Sequence, residues 1–263
     1  MKYFFIPIFL FFISIHSISN AQIIDNAEVD IGQFFSTGGD LATSFFQFNH
    51  STQIGLLGSA AVIGAGYSID INVNKIAQSN ISDFNDKLFS IDKVYGSGYT
   101  LIGIGGLYGY GLIFNNTPVR KLGLETIEAV GYAGIITTVL KSIVGRSRPY
   151  TNAGKAHFRL FNVHAAYTSF PSGHSTVAFA VSTVLANNTD NTYLKIVCYT
   201  ASTLVVASRI YHNAHWLSDT IAGSAIGYFV GDFVSEHGSV NKKGDKNYSF
   251  YLSPSEVGVL IRF

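Results

Sequence analysis

The sequence predicts an all-α protein: an up-and-down bundle of about six core helices, followed by short strands near the C-terminus. Three observations carry this. Charged residues make up only 13% of the 263-residue chain and mean hydropathy is +0.28, so much of the chain consists of apolar segments. Those segments are long, and they are separated by short polar breaks that carry Asn, Asp or Pro. Alternation with a period of two, the strand signature, is confined to NYSFYLSP and EVGVLIRF at the end.

The first 21 residues have one lysine, a run of large apolar residues and then small and polar ones, with Ser19 and Ala21 placed for cleavage before Gln22. This is the pattern of a secretory signal peptide, and it directs the chain out of the cytosol. Residues 22–50 mix acids with paired phenylalanines and read as an N-terminal arm carrying a short amphipathic helix. The main domain is expected over 51–237 and a tail, with a possible β-hairpin, over 238–263.

Within the domain, IGLLGSAAVIGAGYSI (54–69) predicts the first long helix, and the polar stretch 70–94 predicts a connection with a short helix. The run 97–114 is rich in glycine and tyrosine, and small residues allow close helix approach in an apolar setting. Asn115, Asn116 and Pro118 break the chain. A third helix is expected from Val119 through Leu140 towards Pro149. Glu125 and Glu128 in its first half read as a solvated or paired face. A loop over 150–170 precedes a helix starting near Pro171, and NNTDN at 187–191 ends that helix. The last two helices are expected over 192–208 and 217–235. Gly223, Gly227 and Gly231 recur every four residues on the final one, a smooth face for tight packing.

Composition narrows function. A net charge of +1 implies no nucleic-acid partner. The single cysteine, Cys198, excludes an intrachain disulfide and reads as a small buried hydrophobe. No Asp/Glu cluster suits magnesium, and no HxH or CxxC pattern suits zinc, so metal-independent chemistry is favoured and no cofactor is expected.

Three polar clusters interrupt the apolar helices. KSIVGRSRP places Lys141 and Arg148 seven residues apart, nearly two helical turns. PSGH at 171–174 sits where a tight turn opens a helix, and such a turn offers backbone N–H groups to an anion. SRIYHNAHWLSD (208–219) supplies Arg209, His215 and Asp219, with the carboxylate four residues beyond the imidazole. Element order gathers all three at one end of the bundle: the first ends one helix, the second starts the next, and the third follows the return helix. Cations around a tetrahedral oxyanion, a histidine oriented by a carboxylate and a second histidine, His174, as acid together describe phosphoryl transfer. His50, His157, His164, His212 and His237 read as bystanders.

The pattern K-x6-RP, PSGH, SR-x5-H-x3-D resembles that of the type 2 phosphatidic acid phosphatase (PAP2) superfamily at every specified position, from Lys141 to Asp219. The resemblance covers about 120–235. It implies a helical core and a phosphohistidine intermediate on His215, with Asp219 orienting His215 and His174 as general acid. It also implies phosphate binding by Lys141, Arg148 and Arg209, helped by Ser172 and the Gly173 amide. The implied substrates are phosphorylated lipids or small phosphomonoesters, and membrane association is expected. A periplasmic acid phosphatase, or a vanadium-dependent haloperoxidase sharing the same pocket, are the alternatives. Several apolar runs, such as 129–140, fall short of a membrane-spanning length, so a soluble bundle and an integral membrane protein both stay open.

Overall fold

The computed structural model describes residues 20–44, 50–238, 248–252 and 257–261. The expected signal peptide falls, apart from its last two residues, outside the described residues. Eight α-helices are described: α1 (Asn20–Ser44), α2 (His50–Ser79), α3 (Asp83–Leu88), α4 (Gly98–Ile113), α5 (Thr117–Val144), α6 (Gly173–Asn187), α7 (Thr192–Tyr211) and α8 (Leu217–His237). Strands β1 (Tyr248–Leu252) and β2 (Val257–Ile261) pair antiparallel as the hairpin expected of the tail.

Helix boundaries follow capping chemistry. The side chains of Asn116 and Asn191 accept from the amides of Val119 and Leu194, starting α5 and α7. Gly145 ends α5 in the left-handed conformation, φ 60°. A Cβ there would stand 1.7 Å from the Arg159 carbonyl oxygen, so glycine is required.

The core lies where α5, α6 and α8 meet, around Ala129, Ala133, Ala180, Val181, Val184, Val230 and Val234. The four-residue glycine repeat packs α8 on α6 as expected. A Cβ on Gly223 would meet the Ser172 carbonyl oxygen at 2.3 Å, and one on Gly227 the Thr176 carbonyl oxygen at 2.3 Å. Backbone contact this close holds the first turn of α6, and so the PSGH turn, against α8.

Three expectations are corrected. The arm is one 25-residue helix, α1, not a short one. It is joined to the bundle by Tyr108, whose hydroxyl donates to Asp30 at 2.9 Å, and by Tyr132, whose hydroxyl donates to the Phe34 carbonyl. The polar stretch after Ile69 does not leave the helix. Asp70, Asn74 and Gln78 lie on one stripe of α2, four residues apart, and bond Ser218 at the start of α8, Asn213 in the turn before it and Tyr211 at the end of α7. Glu125 and Glu128 are fully buried in the bundle, not solvated; Glu125 accepts from Asn188 at 2.7 Å.

The third correction changes the reading of membrane-spanning length. With its two glutamates turned inward, α5 is one continuous 28-residue apolar helix. It and residues Gln53–Ser79 of α2 are each long and apolar enough to cross a membrane, by length and composition.

Candidate active site

His215 sits in the turn between α7 and α8 and is 1% exposed. Its Nδ1 lies 2.7 Å from the Ser169 carbonyl oxygen. A carbonyl can only accept, so Nδ1 carries the proton and Nε2 keeps its lone pair. The sequence gives Asp219 this orienting role, but its Oδ2 stands 3.8 Å from Nδ1, beyond hydrogen-bond reach.

The Asp219 carboxylate instead ties together the segments around the histidine. Its Oδ2 accepts from the Ser169 hydroxyl at 2.5 Å and from the Trp216 amide at 2.8 Å, which caps α8. Its Oδ1 accepts from Arg146 Nη1 at 2.5 Å, and its main-chain carbonyl accepts from the Ser172 amide at 2.9 Å. Asp219 therefore pins both ends of the 169–172 turn, and that turn holds His215. Its effect on the imidazole passes through Ser169.

Behind this lies a buried network that motif spacing does not reveal. Arg146 is 1% exposed. It donates Nη1 to Asp219 and to the Ser218 hydroxyl, Nη2 to Asp70 at 2.7 Å, and Nε to the Lys155 carbonyl. Asp70, fully buried on α2, also accepts from the Ser218 amide and hydroxyl. One guanidinium thus satisfies two carboxylates that have no access to water. The available signal was an acid in the middle of an apolar helix, a position that demands a partner.

The cationic residues named from the sequence do converge. Lys141 and Arg148 both act electrostatically on His215, while Arg209, Arg148 and Lys141 all act on His174. Lys141 Nζ donates to the Thr168 carbonyl at 2.7 Å, and Arg148 Nε to the Ala165 carbonyl at 2.9 Å. Arg209 is held by Asp92, a buried carboxylate on the segment between α3 and α4. Among the described residues, Arg209 Nε is a buried donor without a protein acceptor, and such a donor suits an anion.

The Ser172 hydroxyl accepts from the Ser175 amide and hydroxyl, so it caps α6 and has only its own proton left for a ligand. Gly173 follows at the first position of α6, where a Cβ would stand 3.7 Å from Lys141 Cε. His212 is exposed and 3.2 Å from Asp92, outside the His215 network.

Burial, together with the positive charges of Lys141 and Arg148, pushes the His215 imidazole down to about 3, against the opposing pull of Asp219. Burial and the Arg209 guanidinium push His174 down to about 4, with Asp92 opposing. Near pH 7 both rings are neutral, the form a nucleophile needs. Among the described residues, no group of three or more His, Cys, Asp and Glu is arranged to hold a metal ion.

Residues 123–239 match the model of the PAP2 superfamily. Over 112 residues the chain is 33% identical to a lipid A 1-phosphatase of Porphyromonas gingivalis, covering 41% of this chain and 25% of that protein. A lipid A 1-phosphatase of Rhizobium etli is 33% identical over 114 residues, 41% of this chain and 47% of its own. The chain thus spans from a quarter to about half the length of these relatives. An undecaprenyl-diphosphatase of Sulfolobus acidocaldarius is 27% identical over 172 residues, 64% of this chain and 79% of that one. Two solved structures share the fold at 24% identity. Aquifex aeolicus LpxE has a TM-score of 0.51, covering 64% of this chain and 95% of that one. The transmembrane PAP2-type phosphatidylglycerolphosphate phosphatase of Bacillus subtilis has a TM-score of 0.55, covering 73% and 96%. The matched segment contains Lys141, Arg148, the PSGH turn, Arg209, His215 and Asp219, and it is over this segment that the chain is similar to the PAP2 superfamily.

Proposed function

We propose that this protein is a phosphatase that removes phosphate from phosphorylated lipids through a phosphohistidine intermediate on His215. The observation that carries the reading is the state of His215: buried, under the positive charges of Lys141 and Arg148, with its proton held at Nδ1 by Ser169 and with Arg209 acting on the second histidine, His174. Nε2 attacks phosphorus, the bond from phosphorus to the ester oxygen breaks, and His174 gives a proton to the departing oxygen. Water then attacks phosphorus as His174 takes a proton from it, the phosphorus–Nε2 bond breaks with its electron pair returning to the imidazole, and inorganic phosphate leaves. Lys141, Arg148, Arg209, the Ser172 hydroxyl and the Gly173 amide neutralise the equatorial oxygens through both steps. No step calls on a metal.

A lipid substrate is supported by an apolar groove of about 690 Å³ between α4 and α5, lined by Leu101, Ile104, Val130, Ile135, Val139 and Val177. Val177 lies one turn beyond His174, and Val139 lies just before Lys141. The groove therefore begins at the catalytic end and can take a hydrocarbon chain while the phosphate occupies the cationic cluster. The matched relatives are named for lipid A and for undecaprenyl diphosphate, also lipid phosphates. The exposed apolar surfaces of α2 and α5 support association with a membrane.

Rapid quenching with a radiolabelled lipid phosphate tests the intermediate. The expected result is a base-stable, acid-labile phosphoryl adduct that disappears in His215→Ala and persists in His212→Ala. Labelling and turnover that survive in His215→Ala would overturn the mechanism.

A further inference from the structure

The loop between the first and second clusters has a surface that phosphate chemistry does not use. Leu160, Phe161 and Val163 are 66%, 80% and 80% exposed, and Phe158 is exposed beside them. These side chains are not loosely placed. The Arg159 amide donates to the Gly145 carbonyl, the Phe161 amide to Ile143, the Asn162 amide to Ser142, and Phe158 forms a β-bridge with Arg146. Phe161 is held at φ 56°, a conformation that costs a bulky residue energy, and its ring nevertheless faces outward.

The loop continues an apolar stripe. Ile135, Val139 and Ile143 recur every four residues on the exposed side of α5 and lead straight to Phe161 at its last turn. The charged residues of that stretch turn inward: Glu125 and Glu128 are fully buried, and Lys141 bonds the Thr168 carbonyl. Twenty residues of helix rise about 30 Å, the thickness of a bilayer's hydrocarbon core. With that stretch of α5 in the membrane, Phe161 lies at the level where acyl chains meet headgroups. The charge is right for that level too. Residues 145–172 contain no Asp or Glu. Arg159 is exposed, its guanidinium 4.3 Å from the Tyr167 ring centre, with His164 exposed nearby.

We infer that residues 158–163 form a bilayer-contacting rim: Leu160, Phe161 and Val163 seat among acyl chains beside the end of α5, and Arg159 meets anionic headgroups. The rim holds the mouth of the site at the depth where a lipid phosphate lies. This rests on the reading of the site as a lipid phosphatase for its purpose, but the contact itself is measured independently of activity.

The chain, with Cys198→Ala and Phe161→Cys, is labelled with an environment-sensitive fluorophore and reconstituted into phosphatidylcholine vesicles containing phosphatidylglycerol. The same label at Ala153, exposed on the same loop, is the reference. The label at 161 is expected to be quenched by lipids brominated near the headgroup and shielded from aqueous iodide, with the reverse at 153. Iodide quenching at 161 as strong as at 153 would overturn the rim. In a second arm, the variant Leu160→Ser/Phe161→Ser is expected to lose about tenfold in turnover of a lipid phosphate in those vesicles, while a soluble aryl phosphate is turned over unchanged. Equal retention of both activities would overturn its role in delivery. If neither substrate is turned over by the unmodified protein, the functional reading fails, and the label still reports the contact.

Discussion

Arg146 Nη1 lies 2.5 Å from Asp219 Oδ1, and the two residues are 1% and 0% exposed. This pair, with Asp70 on the far side of the guanidinium, makes Asp219 part of the foundation of the site and not simply a partner of His215. Breaking a buried pair leaves a charge without compensation, at a cost of about 3–5 kcal/mol. Arg146→Ala is therefore expected to lower unfolding stability by that order and to abolish turnover. Chemical denaturation in detergent, run beside Asp70→Asn, checks this. Asp70→Asn should cost less, since it leaves the guanidinium paired with Asp219.

Ser169 contributes two different atoms. Its carbonyl holds His215, and its hydroxyl serves Asp219. Ser169→Ala removes only the second, so the imidazole tautomer persists. Turnover is expected to fall modestly, by about tenfold, with KM within twofold. His215→Ala should lose about 10⁴-fold or more. Steady-state kinetics on one lipid phosphate, with the three proteins compared, separates the two roles.

His174 must be protonated to act as an acid, yet burial and the neighbouring Arg209 guanidinium hold it down to about 4. A bound dianion offsets the cations that depress it, so anion binding should recruit a proton. Calorimetry in buffers of different ionisation enthalpy, with tungstate as a tetrahedral dianion that does not titrate near pH 7, should show uptake of about one proton per site. The uptake should vanish in His174→Ala.

Stability should fall as pH drops below the ordinary histidine value of 6.5. In that range the unfolded chain binds protons at His174 and His215, while the folded protein resists them down to about 4 and about 3. The unfolded state then holds more protons, so unfolding becomes easier as pH falls, by about 1.4 kcal/mol per pH unit for each ring. Denaturation midpoints between pH 7 and pH 5 measure it. His174→Ala should flatten the slope by one ring's share.

Gly227 sits where a Cβ would meet the Thr176 carbonyl oxygen at 2.3 Å. Gly227→Ala is expected to destabilise by about 1–3 kcal/mol and to reduce turnover, because α6 carries His174 on the turn that would be pushed away. Circular dichroism melts together with activity test both effects.

The helical bundle was legible in sequence because apolar runs and capping residues act locally: Asn116 and Asn191 mark helix starts by their own side-chain chemistry, whereas the end of α5 at Gly145, short of the expected Pro149, was not read. The candidate cations and histidines were legible as short motifs, although Arg148 lies in the extended segment past the end of α5, and Arg209, His215 and Asp219 are spread over α7, the turn after it and α8. The family match supports that grouping. What spacing could not supply was the partner of each polar atom. Asp219 is four residues from His215, yet the carbonyl of Ser169, 46 residues away, is the nearer acceptor. Asp70 read as the start of a connection, because a lone acid looks like a helix breaker until Arg146 and Ser218 arrive from other elements to satisfy it. Phe161 looked like an ordinary loop residue until the loop was seen pinned along the end of α5. The sequence by itself determined that the chain folds as apolar helices, and it marked the candidate reactive groups. Which buried charge meets which, and which apolar side chains stay uncovered, depends on contacts between distant segments, and only the tertiary structure decided them.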